Sequence, residues 1–142
     1  MAELNQALLI LHFVGLALGL SVSFANFVMS GLIGAAAPAE KAVLGRFPPR
    51  MTQLGRIGLT VLWATGATLV YTKWGGFAAL PWQFHAKLTA VVLLTVVVVY
   101  IYLLERRIRS GDASALPRIE TAGKAAIVLA LIAVVFAVLT FD

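Results

Sequence analysis

Two histidines and one lysine stand where an apolar chain seldom carries ionisable groups. His12 lies inside the run that begins at Leu4, and His85 and Lys87 open the run that continues to Leu104. Within a bilayer such side chains are costly and mark ligand, ion or proton sites by default. A neutral imidazole ligates a metal through one ring nitrogen while a hydrogen bond holds the other. A lysine ammonium holds an anion or simply extends its stem towards the interface. Whether His12 and His85 share one centre depends on the elements that carry them.

Those elements follow from the apolar runs, which cover Leu4 to Ala37, Ile57 to Tyr71, Phe84 to Leu104 and Ala125 to Phe141. With 61% hydrophobic and 12% charged residues over 142 positions, an ordinary soluble domain is excluded. A spanning helix needs about 20 apolar residues. The sequence therefore predicts a single all-α membrane domain over 1–142, a bundle of four transmembrane helices at about 4–33, 52–72, 82–106 and 121–141. The β-branched run Val96 to Val99 would favour a strand in water, but an isolated strand in lipid leaves its backbone unsatisfied, so helix is expected. Pro38, Pro48 and Pro49 break the first connection, with a short surface helix expected over Ala39 to Leu44. Gly75-Gly76 turns the second, and Trp74 and Trp82 suit the interfacial belt.

A net charge of +5 would suggest nucleic acid in a soluble protein. Here the basic residues report orientation instead. Lys41, Arg46, Arg50 and Arg56 cluster at the first connection, and Arg106, Arg107, Arg109, Arg118 and Lys124 at the third. By the positive-inside rule those connections are cytoplasmic and both termini are non-cytoplasmic. The lipid bilayer, not nucleic acid, is the expected partner.

That topology starts the first and third helices on the same side, so His12 and His85 belong to one leaflet. At 1.5 Å per residue, His12 sits roughly 12 Å and His85 roughly 6 Å below their helix starts. The absence of cysteine removes iron–sulfur clusters, thiolate sites and covalent c-type haem. Zinc wants three or four ligands, and the acids expected on that side are Glu3 and Asp142 alone. Two neutral imidazoles from separate membrane helices suit haem b, with His12 and His85 as the candidate iron ligands. Gly15 and Gly19 share a helix face with His12, and either leave room for a flat macrocycle or form a close-packing seam between helices. Lys73, Trp74, Trp82, Gln83 and Lys87 are the candidate partners of haem propionates. Lys87 is about 200° around its helix from His85, so it reaches a propionate or substrate carboxylate from another face, or snorkels. Asn26 is expected to hydrogen-bond between helices, and the threonines of the second helix to satisfy their own backbone.

The stretch Trp82-Gln83-Phe84-His85-Ala86-Lys87-Leu88, the apolar helix after it and the following Glu105-Arg106-Arg107-Ile108-Arg109-Ser110-Gly111-Asp112 resemble the small four-helix bacterial membrane protoporphyrinogen IX oxidase family (HemJ). Leu11-His12-Phe13 corresponds to that family's early histidine. The resemblance implies a bacterial inner-membrane location, haem b, His12 and His85 as haem-linked residues, Lys87 as a catalytic cation, and oxidation of protoporphyrinogen IX. Two stretches depart from the family pattern. Val99-Tyr100 is followed by Ile101 where the family has a Tyr-His pair, and Ile119-Glu120-Thr121-Ala122-Gly123 replaces an aromatic-Asn-Glu-x-Pro stretch.

The expected function is thus a haem b-binding membrane oxidoreductase acting on a tetrapyrrole. The alternatives are a one-haem electron carrier exchanging electrons with quinone, and a non-haem membrane subunit or transporter component in which His85 and Lys87 handle protons or an anion. A further alternative is a structural bundle whose glycine seam drives assembly. A homodimer or homotrimer is expected.

Overall fold

The computed structural model describes residues 2–141, which leaves Asp142 outside the described residues. They form α1 (Ala2–Ala35), α2 (Pro38–Leu44), α3 (Phe47–Trp74), α4 (Trp82–Arg109) and α5 (Leu116–Phe141), with 3-10 turns at Phe77–Ala79 and Ala113–Ala115. No strand occurs among the described residues. Four helical segments are long and apolar enough to cross a membrane, so this is a multi-pass membrane protein.

The helices extend beyond the expected boundaries for local reasons. Pro48 and Pro49 do not precede α3 but lie in its first turn, where a missing backbone N–H leaves no bond unmade. Pro117 sits likewise near the start of α5, which begins at Leu116 rather than near 121. The surface helix of the first connection is present as α2. Its start is held by the Ala37 backbone N–H, which donates to the Glu40 carboxylate at 3.0 Å. α4 continues to Arg109, and Arg106, Arg107 and Arg109 fall in its last turn, where cations suit the negative end of the helix dipole. Gly75 ends α3 at φ 71°, a left-handed conformation that favours glycine.

Two helix pairs make the bundle. α1 packs along α3, α4 along α5, and α1 also meets α5, whereas α3 and α4 touch sparsely. Small residues decide the close contacts. A Cβ placed on Gly15 would lie 2.9 Å from the Gly58 carbonyl oxygen, and one on Gly58 would lie 2.8 Å from the Gly15 carbonyl oxygen, so the two backbones touch. Gly55 meets Val22 in the same seam. α5 buries Ala122, Ala126, Ala130 and Ala133 at helical spacing. Val70, Leu80 and Phe84, with Trp74 and Leu88 against them, close the end of the bundle beside the second connection.

The contacts across α3 and α4 are few and specific. Trp63 Nε1 donates to Thr95 Oγ1 at 3.0 Å. Nearer the other end, the Arg56 guanidinium lies 4.8 Å from the Tyr102 ring centre.

The Gly15–Gly58 contact is between backbones, which cannot yield as side chains do. Gly58→Ala is expected to destabilise the bundle by about 1–3 kcal/mol, the usual range for overpacking. Gly19→Ala, whose Cβ meets nothing within 4 Å, should stay within about 0.5 kcal/mol. Unfolding of the detergent-purified variants in a denaturing-detergent titration measures both.

Candidate functional site

The polar residues of α1 recur at heptad spacing and meet α3 in antiparallel register. Thr72 donates to Asn5 Oδ1 at 2.8 Å, His12 Nδ1 lies 2.9 Å from Thr65 Oγ1, and Asn26 Nδ2 donates to Thr52 Oγ1 at 3.4 Å. Gly19 holds the remaining heptad position, its backbone N 3.2 Å from where a Gly58 Cβ would stand. Asn26 therefore does bond between helices. The threonines Thr60, Thr65 and Thr68 each donate to the carbonyl four residues earlier, and Thr65 does more than satisfy its own turn.

The hydroxyl of Thr65 has one proton, and Val61 O takes it at 2.6 Å. Thr65 Oγ1 can then only accept from His12 Nδ1. In the neutral ring the proton sits on Nδ1 and the lone pair on Nε2. Metal-binding histidines are commonly oriented in this way, through a hydrogen bond at the nitrogen that does not ligate. The ring also lies on Gly66, where a Cβ would stand 3.2 Å from His12 Cε1. Glycine at that position lets the imidazole lie flat against α3.

Lys87 is the α4 cation that acts on His12. It is half-buried, and its ammonium is close enough to act electrostatically on the ring. His85 is exposed, with its ring edge-on to Phe84 at 6.1 Å. Two helical residues apart means about 200° of rotation, so a helix that presents Lys87 to His12 presents His85 to the outside. Lys87 acts electrostatically on His12, whereas the His85 side chain is exposed.

The other candidates divide. Gly15 is buried in the helix seam against Gly58, Val61 and Leu62, so the space beside it is filled by α3. Space remains open beside Gly19. Trp82 is 66% exposed and meets Phe136 of α5 edge-on at 6.0 Å. Gln83 is half-buried, and its Oε1 is buried without a hydrogen-bond partner. The Lys73 ammonium lies 4.9 Å from the Trp74 ring centre. Among the described residues no three His, Cys, Asp or Glu side chains gather as a metal-binding group.

The chemistry of the His12 side chain is compatible with a histidine ligand to haem iron. His12 offers an imidazole whose Nδ1 is held by Thr65, with the Leu62 carbonyl beside the ring and the Lys87 ammonium within electrostatic range. Thr65 and Gly66 were missed as parts of this site, although their signal was in the sequence: both face α1 once α3 is set antiparallel, in register with His12. No family model matches the chain, and no match emerges among curated proteins or solved structures.

The His12–Thr65 bond is measurable as a coupling. A double-mutant cycle of His12→Ala and Thr65→Val should give about 0.6 kcal/mol, the mean for side-chain hydrogen bonds between membrane helices. Denaturing-detergent unfolding of the four proteins gives the value, and zero coupling would mean that the two side chains do not bond.

Proposed function

We propose that this chain is a haem b-binding oxidoreductase of a bacterial inner membrane, with His12 as an iron ligand and protoporphyrinogen IX oxidation as its reaction. The observation that carries the reading is the His12–Thr65 bond, which orients the His12 imidazole through Nδ1. Haem, when bound, supplies one-electron exchange at its iron. The chain's own residues do the rest. Thr65 fixes the imidazole tautomer, Gly66 gives the ring its place, and Lys87 holds a propionate or a substrate carboxylate. The sparse contact between α3 and α4 suits a flat ligand entering beside His12.

The basic residues of the α1–α3 and α4–α5 connections support an orientation with both termini non-cytoplasmic. The exposure of His85 on α4 supports a role towards a second copy in a homodimer or homotrimer.

Visible spectra of the detergent-purified protein, oxidised and dithionite-reduced, test the reading. The wild type should show a Soret band with sharp reduced α and β bands, and His12→Ala should lose them. Thr65→Val should bind haem about 10- to 100-fold more weakly, the usual effect of removing a ligand's orienting partner. Loss of haem in His85→Ala as well would add His85 as a second histidine needed to hold it, while retention would leave His12 as the histidine ligand. A colourless wild type after haem-replete expression would defeat the haem reading. It would favour a second one, in which His12 and Lys87, held within electrostatic range in the bundle interior, handle a proton or an anion.

A further inference from the structure

A second polar centre lies at the other end of the bundle, where α1, α3 and α4 converge beside the basic connections. Glu105, on the last turns of α4, is 8% exposed and follows the fully buried Leu104. Its Oε2 is buried with no hydrogen-bond partner, and so is Asn26 Oδ1 of α1. Both side chains converge on Thr52 of α3. Asn26 Nδ2 donates to Thr52 Oγ1 at 3.4 Å, and the Glu105 carboxyl lies beside the same hydroxyl. The one proton of Thr52 is already given to the Pro48 carbonyl oxygen at 2.9 Å. Three helices thus bring several acceptors together with too few donors.

The neighbouring cations do not fill the deficit. Arg56 of α3 and Arg109 of α4 both act electrostatically on Glu105, but Arg56 stacks over Tyr102. The ion pair present among the described residues is Lys124–Glu120, exposed on α5. Arg107 and Arg118 face Asp112 in the connection between α4 and α5, and α1 carries no charged residue at this end. A buried acceptor without a donor costs about 1–3 kcal/mol. One proton on the Glu105 carboxyl converts an acceptor into the missing donor.

We propose that Glu105 is a proton-binding site, with its proton donated to Asn26 Oδ1 or Thr52 Oγ1. The binding step forms one O–H bond on the carboxylate, takes the proton from water and breaks no bond in the protein. A polar surface opening of about 510 Å³, lined by Tyr102, Arg106, Arg109 and Ser110, lies on the same turns of α4. This site is independent of haem at His12, and a colourless protein keeps it.

Infrared spectroscopy of the full chain in detergent tests it at neutral pH. A protonated carboxyl C=O stretch is expected in the wild type, shifted by exchange into heavy water and lost in Glu105→Gln. Asn26→Leu should change the frequency of the same band. Incorporation of carboxyl-labelled glutamate should move the band in the wild type itself, which decides the matter even if a variant fails to fold. Glu105→Gln should unfold at the wild-type temperature, because the amide replaces a protonated acid of the same shape. Absence of any glutamate-dependent carboxyl band would overturn the proposal. So would equal destabilisation of Glu105→Gln and Arg56→Gln, the signature of an ionised carboxylate paired with that arginine.

Discussion

The backbone contact between Gly15 and Gly58 is the constraint on which the rest of the bundle depends. In lipid the hydrophobic effect does not drive helices together, so close approach and interhelical hydrogen bonds must do so. Gly15 and Gly58 set the α1–α3 separation, and at that separation the short side chain of a threonine reaches the polar residue opposite. Asn5, His12 and Asn26 each find a threonine of α3 because the seam has fixed both distance and register. A wider seam would leave three polar groups of α1 without partners in an apolar medium, where their desolvation is uncompensated.

The same seam explains why the bundle is asymmetric. α1 is committed to α3, α5 presents buried alanines, and α3 and α4 are left to meet through isolated contacts, Trp63 to Thr95 and Arg56 to Tyr102. Both polar centres border this loosely joined side. His12 and Lys87 lie nearer the second connection, and Asn26, Thr52 and Glu105 nearer the basic ones. Each centre is built from α1, α3 and α4, so a change in the α3–α4 separation would act on both. The proposed redox site and the proposed proton site thus share one mechanical element while using different residues.

Much of the architecture was legible because the bilayer restricts the choices. Apolar runs of spanning length leave helix as the available element, and the run Val96 to Val99 is helical despite its β-branched side chains. Prolines misled the boundaries, since Pro48, Pro49 and Pro117 mark helix starts here and not the loops before them. The glycine seam was legible on α1 but not its partner. Gly55 and Gly58 gain meaning only once α3 is known to lie antiparallel against Gly15 and Val22. Glu105 reads in sequence as the charged end of a helix beside two arginines, and nothing local shows that it turns inward to Thr52.

The sequence by itself determined that four helices cross a membrane and that His12, His85 and Lys87 are the unusual side chains within or beside the apolar runs, because composition and run length follow from the chain alone. The tertiary structure alone decided which of these face one another. Rotation of α4 about its axis leaves Lys87 half-buried and His85 exposed, and that angle is set by packing against α5 and the end cluster around Phe84. Periodicity gives the angle between two residues on one helix, but the angle between that helix and its neighbours depends on contacts distant in sequence.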